Sequence, residues 1–382
     1  VISGYLISNI IISDLNNKQF TFRNFYIRRI KRIIPALLSV LLLTTPFAYY
    51  LLPANQYIDY AKSVFASLFF YSNLYFNNLD FYNSPAAELM PLLHTWSLAV
   101  EEQFYILFPL FLFLIFKVNK KILLKSLILI LIISLFINKT EIDDKFYLTQ
   151  YRIWELLIGS VAGFIPLINV NKSLNYLSYF LIISPICFFD DNWIINTEPR
   201  IIMTTGVFFV LIFNNQSSFF AKINENKLIK NIGKSSYSIY LFHQPVYSFF
   251  KWYLNEQQIK FLVSIFFDSI ILLIFICGIS FLNYKYIEIY FIKLEKDIKI
   301  LILLPVVFLI IALNALTIKN NGFFSQRFNM PEKIFTYSDS DNYSIYQNGN
   351  NCHHSKLNNS KDICIFNKES SNKSIYLFGD SH

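Results

Sequence analysis

Apolar runs of roughly 17 to 25 residues recur along this chain as far as about residue 318, which is the length an α-helix needs to cross a bilayer. Ile33–Leu52, Ser97–Phe116, Phe261–Phe281 and Ile300–Ile318 are examples. Only 15% of residues are charged and 54% are hydrophobic, whereas soluble domains carry about 25% charged residues. The sequence predicts an all-α polytopic membrane protein with about ten spans, set in the lipid bilayer.

Basic residues orient those spans, because cytoplasmic loops collect Lys and Arg. The densest cluster is FRNFYIRRIKR, with Arg23, Arg28, Arg29, Lys31 and Arg32. KVNKK, the loop with Lys222 to Lys234, and the loop with Lys285 to Lys299 follow on the same side. The intervening loops carry acids such as Asp59, Asp80, Glu88, Glu141 and Asp190. The net charge of +8 is therefore a matter of topology, and a nucleic-acid partner is not expected. Tyr60–Phe76 breaks the alternation, so it is expected to be a re-entrant or interfacial helix on the outer face. The last span then leads outward, and everything after residue 319 is extracytoplasmic.

Composition changes once. Residues 1–318 form the membrane domain, 319–373 a polar linker rich in Asn, Ser, Lys and Asp, and 374–382 (SIYLFGDSH) the start of a strand-like segment. Val1 inside an apolar run and His382 in mid-motif read as cuts in a longer chain. Cys187 and Cys277 fall in spans and read as packing residues. Cys352 and Cys364 lie in the outer linker, where an oxidising compartment permits a disulfide that closes a short loop for about 3 kcal/mol. A metal site is the competing reading, because the Cys352-His353-His354 run offers ligands.

Five clusters carry chemistry. Arg29 and Arg32 are three apart, on one helix face, and paired guanidiniums suit a polyphosphate; a plain positive-inside anchor is the simpler reading. In HTWSLAVEEQFY, Glu101 and Glu102 stand near a helix start, where the macrodipole favours carboxylates; alternatively they face a polar cavity and bind or deprotonate an acceptor. GKSSYSIYLFHQPVY carries His243, which either acts as a base or satisfies carbonyls freed by Pro245. Glu288 in YKYIE sits on the same side as the arginines, where it pairs with them, acts as a base or is a surface residue. Ser381 in Gly379-Asp380-Ser381 is a candidate nucleophile at a strand-to-helix turn.

Taken together, VISGYLI, FYIRRIKRIIPALL, PLLHTWSLAVEEQFYILFPL, SYSIYLFHQPV, YKYIE and LFGDSH resemble membrane acyltransferase family 3, in the variant fused to an extracytoplasmic SGNH domain of α/β fold. The resemblance implies a multi-pass protein of the bacterial cytoplasmic (inner) membrane. It implies an O-acyltransferase moving an acyl group, usually acetyl, from cytoplasmic acyl-CoA to a cell-envelope carbohydrate such as lipopolysaccharide or peptidoglycan, with no metal. Arg29 and Arg32 match the family's RxxR pair, which would hold CoA phosphates. Glu288 matches its late membrane glutamate, and Ser381 its GDS nucleophile. The family's first-span histidine and the rest of the SGNH site are expected to lie outside residues 1–382. The rival class is a transporter or flippase of envelope precursors, for which internal repeats are expected; none is visible here.

Overall fold

The computed structural model describes residues 1–79, 86–138, 146–189, 197–214, 223, 225–256, 264–294, 301–323, 327, 346–347 and 350–351. The chain divides into two units, Val1–Phe323 and Phe324–His382. In the second, a two-residue antiparallel pairing joins Tyr346–Gln347 to Asn350–Asn351. The proposed disulfide cysteines, the strand at 374–382 and Ser381 lie outside the described residues.

The first unit is helical. Its elements are α1 (Ile2–Asn16), α2 (Phe22–Leu51), α3 (Ala54–Leu68), α4 (Ser72–Asn77), α5 (Thr95–Asn119), α6 (Leu123–Asn138) and α7 (Ile153–Ala162). They continue as α8 (Lys172–Phe188), α9 (Thr197–Ile212), α10 (Lys227–Lys234), α11 (Ser236–Glu256), α12 (Ser264–Asn283), α13 (Ile289–Ile292) and α14 (Leu303–Lys319). A π-helical turn, Tyr284–Glu288, joins α12 to α13. The described strands of this unit, Ile168–Asn169 and Phe213–Asn214, form a minimal parallel pair.

Three stretches are long and apolar enough to cross a membrane: Phe22–Leu51, Thr95–Asn138 and Ile270–Ile292. Ile153–Ala162 and Leu303–Lys319 are apolar but shorter. The second stretch comprises α5 and α6, and the chain turns between them where Asn119 takes an extended backbone. Leu107, Phe136, Phe188, Leu273 and Phe308 are all more than half exposed, and a surface so rich in large apolar side chains requires a cover such as lipid.

Side-chain contacts sort the helix ends. At one, the basic end, Arg28 Nη2 meets Asp14 Oδ2 at 2.7 Å, Lys120 donates to Asn16 Oδ1 at 2.7 Å, and Lys31 donates to the Leu294 carbonyl at 2.6 Å. At the far end, Trp96 packs on Phe146 and Tyr147 and Trp252 Nε1 donates to the Leu89 carbonyl. There Gly322, at φ +67°, lies so close to the Ala54 carbonyl that a Cβ would come within 2.6 Å of its oxygen. That approach and that φ both exclude ordinary side chains.

The Tyr60–Phe76 segment folds back on itself. Its two helices, α3 and α4, meet at Phe69–Tyr71, where Phe70 has a positive φ. Tyr71 N donates to the Ala66 carbonyl, and the Tyr75 hydroxyl reaches the Asp59 carbonyl at 3.2 Å. The hairpin tip rests on α5, whose Gln103 donates to the Phe70 carbonyl and to Asn73 Oδ1.

Small residues let α1 and α7 touch. A Cβ on Gly4 would stand 1.9 Å from the Leu156 carbonyl oxygen, a closeness typical of helix pairs in lipid. Cys187 and Cys277 are exposed free thiols, which corrects their reading as packing residues: each lies on the outward face of its helix.

Candidate active site

α2 brings Arg29 and Arg32 to one side of its first turns, as their spacing requires. α5 presents Leu98, Glu101 and Tyr105, at spacings of three and four, to the same side. These residues, with Ser3, Leu6, Ile33 and Tyr237, line one cavity of about 430 Å³. The basic and acidic motifs, about 70 residues apart in sequence, thus form a single site.

Glu101 is fixed at both oxygens. The Ser3 hydroxyl donates to Oε1 at 3.0 Å, and the Tyr105 hydroxyl donates to Oε2 at 3.1 Å. The Arg29 guanidinium stands over the rings of Tyr105 and Phe25, 5.1 and 5.7 Å from their centroids. Among the described residues neither Arg29 nor Arg32 forms an ion pair, so their donors face the cavity uncommitted. Lys31 points away, to Leu294.

Glu101 and Glu102 are the seventh and eighth residues of α5, and its first turn holds no acid. The helix-start reading is thereby corrected, because macrodipole stabilisation fades within the first turn. Glu101 is instead a cavity residue. Glu102 Oε1 is buried without a hydrogen-bond partner.

Glu288 is not a surface residue. It is 2% exposed, at the end of the π-helical turn, and accepts a hydrogen bond from the Ser238 hydroxyl. Asn283 Nδ2 donates to Ser238 Oγ at 2.7 Å, and Ser39 Oγ approaches Asn283 Oδ1 at 2.6 Å. This buried polar thread ties α2, α11 and α12 together, with Glu288 within electrostatic reach of Arg32. Single π turns recur at functional sites.

His243 lies nearer the far end of α11. Its Nδ1 is 2.6 Å from the Tyr240 carbonyl, a carbonyl of its own helix but not the Leu241 carbonyl that Pro245 leaves without its i+4 donor. The Tyr240 hydroxyl in turn donates to the His94 carbonyl and stands 2.9 Å from Ser97 Oγ. His243 does not line the arginine cavity.

A second cavity, about 400 Å³, opens between the α3–α4 hairpin and residues 89–92, with Gln56, Asp59, Tyr60 and Tyr75 among its walls. Beside the hairpin, Arg152 and Arg200 both bind Glu155 Oε1, at 2.7 and 3.0 Å. Arg152 also donates to the Phe146 carbonyl and lies 4.1 Å from that ring's centroid and 5.0 Å from that of Trp96. Sequence reasoning missed this network, along with Ser3 and Tyr105. Tyr105 carried one signal, its place one helical turn after Glu101. Among the described residues no cluster of three metal-ligating side chains occurs.

A family model described as an acyltransferase domain matches residues 1–284. The chain is 33% identical over 312 residues to the O-acetyltransferase OatA of Staphylococcus aureus (strain NCTC 8325 / PS 47), covering 75% of this chain and 50% of that protein. A putative O-acetyltransferase of Staphylococcus aureus (strain COL), SACOL0978, is 32% identical over 311 residues with the same shares. The chain therefore spans about half the length of the curated relatives it matches. No solved structure matches.

Proposed function

The chain belongs to acyltransferase family 3, and from that premise we propose that it is the membrane part of an O-acetyltransferase. On this reading it takes an acetyl group from cytoplasmic acetyl-CoA and passes it to a cell-envelope carbohydrate on the opposite side of the inner membrane. The observation that carries the proposal is the arginine cavity, where two uncommitted guanidiniums meet an anchored carboxylate. Arg29 and Arg32 hold the phosphates of CoA, for which a pair of guanidiniums is the natural partner. Glu101, held by two hydroxyls, positions polar atoms of the acyl-bearing arm.

Glu288 and Glu102 complete the carboxylate set around the donor, and His243 stands nearer the acceptor. The basic end faces the cytoplasm, and residues 319–373 form an extracytoplasmic linker. Beyond it, Ser381, at the head of an SGNH domain, accepts the acyl group before the glycan does. Both relatives carry O-acetyltransferase in their names, which supports an acetyl donor over longer chains.

Two measurements test the reading. Mass spectrometry of envelope glycans from cells with and without the gene should show O-acetyl groups only with it. Membranes containing the whole protein should move label from acetyl-CoA to glycan. Glycan acetylation unchanged by loss of the gene would sink the proposal and favour a transport role.

A further inference from the structure

α10 is eight residues long, KLIKNIGK, and none of them is buried. Helices shorter than about 12–15 residues are marginal in water on their own, so a short helix that buries nothing needs a cover to persist. Both of its ends are tied locally. Asn226 Oδ1, at the N-cap, accepts from Leu228 N at 2.8 Å, and Ser235 Oγ donates toward the Asn231 and Ile232 carbonyls at 3.1 and 3.2 Å. These bonds set the helix boundaries and leave its side chains uncovered.

Those side chains are sorted by chemistry. At 3.6 residues per turn, Lys227, Lys230 and Lys234 fall within an arc of about 60°, and Leu228, Ile229 and Ile232 within an opposite arc of about 100°. The three apolar residues are 71%, 42% and 53% exposed. Among the described residues none of the three lysines takes part in an ion pair. Between the two arcs, a Cβ at Gly233 would meet nothing within 4 Å. A helix with one apolar and one basic face, open on every side, has the build of one that lies in a membrane surface.

Its place in the chain agrees. Only Ser235 separates α10 from α11, whose first turn belongs to the basic end. There the Tyr237 hydroxyl donates to the Ile33 carbonyl at 3.2 Å, Tyr237 lines the arginine cavity, and Ser238 holds Glu288. Whatever grips α10 therefore also holds the root of α11, and with it one wall of that cavity. A soluble partner or a second copy would have to bring an apolar groove to this face. The lipid that covers the apolar flanks of the bundle is already beside it, and supplies acyl chains for the isoleucines and anionic phosphates for the lysines.

We propose that α10 is an interfacial helix that moors the root of α11 in the headgroup layer at the basic end. Leu228, Ile229 and Ile232 sit among the upper acyl chains. Lys227, Lys230 and Lys234 extend their stems to anionic headgroups. The partner is an anionic phospholipid surface, and nothing in this contact depends on acyl chemistry.

The test uses the whole protein, with its native cysteines changed to Ser, reconstituted in phospholipid vesicles. Single cysteines introduced as Leu228→Cys, Ile232→Cys or Asn231→Cys carry a fluorophore, the last on the lysine side with all three lysines kept. In vesicles of phosphatidylcholine and phosphatidylglycerol in equal parts, nitroxides at known acyl depths report the position of each dye. The Leu228→Cys and Ile232→Cys dyes should lie about 5–10 Å deeper than the Asn231→Cys dye. In phosphatidylcholine vesicles, phosphatidylglycerol carrying a shallow nitroxide should half-quench the Asn231→Cys dye at an about fivefold lower fraction than phosphatidylcholine carrying it, the effect of one lysine near a charged surface. Changing the three lysines to Gln should abolish that preference. Three dyes at one depth would overturn the proposal. So would apolar-face dyes shielded from water yet untouched by the nitroxides, because protein would then cover them. Equal quenching by the two lipids with the lysines in place would overturn the anionic partner.

Discussion

Ser3 and Glu101 are joined by a 3.0 Å hydrogen bond between α1 and α5, and Tyr105 holds the other carboxylate oxygen from one turn below. Hydrogen bonds to charged groups contribute about 1.5–3 kcal/mol. With one removed, the carboxylate gains freedom at the centre of the arginine cavity. Ser3→Ala and Tyr105→Phe are each expected to lower kcat about tenfold to a hundredfold, and the double variant less than the product of the two. Acetyl transfer in membranes, measured across the four-member cycle, checks this; additive losses would mean that the hydroxyls act independently of Glu101.

Arg32 and Lys31 are neighbours with opposite duties. Arg32 lines the cavity, whereas the Lys31 ammonium is engaged by the Leu294 carbonyl at 2.6 Å. Arg32→Ala should raise the KM for acetyl-CoA about tenfold to a hundredfold, the worth of one charge-assisted phosphate contact. Lys31→Ala should leave that KM unchanged. Equal, mild effects of both would return the cluster to a positive-inside anchor.

Glu155 bridges two arginines that are themselves nearly buried, with side-chain exposures of 7% and 10%. Glu155→Gln would leave two guanidiniums facing each other without the carboxylate that bridges them. Removing one partner of a buried pair costs about 3–5 kcal/mol; the partial exposure of Glu155 points to the low end of that range. A lowered unfolding temperature in detergent is expected. Adding Arg200→Gln should restore part of it, because the excess charge is then gone.

Spacing alone put Arg29 and Arg32 on one helix face, and that much of the site was legible in the sequence. Their meeting with Glu101 was not, because it depends on how α2 and α5 pack across about 70 residues of intervening chain. The same limit hid the Ser238–Glu288 bond and left Glu288 open to a surface reading. Glu101 invited a helix-dipole explanation because the start of α5 could not be fixed to a residue, and a shift of one turn decides it. The apolar runs disclosed the helices by their length, a property of single segments. The Arg152–Glu155–Arg200 network needs two helices and a loop together, and no local pattern marks it.

The basic-residue argument also required Tyr60–Phe76 to begin and end on one side of the membrane, and this is open to direct measurement. The hairpin of α3 and α4 has the geometry such a segment needs, since Tyr75 returns to the level of Asp59. Asn78, just beyond α4, and Lys121, in the turn between α5 and α6, are both exposed. In a background with the free thiols Cys187 and Cys277 changed to Ser and with the linker cysteines changed likewise, each position can carry a single cysteine. Asn78→Cys should react with an impermeant maleimide added to intact cells. Lys121→Cys should react only after the inner face is opened. The reverse pattern, with Lys121→Cys labelled in intact cells and Asn78→Cys only after the inner face is opened, would make Tyr60–Phe76 a true span, and the arginine cavity would then no longer share a side with the KVNKK turn.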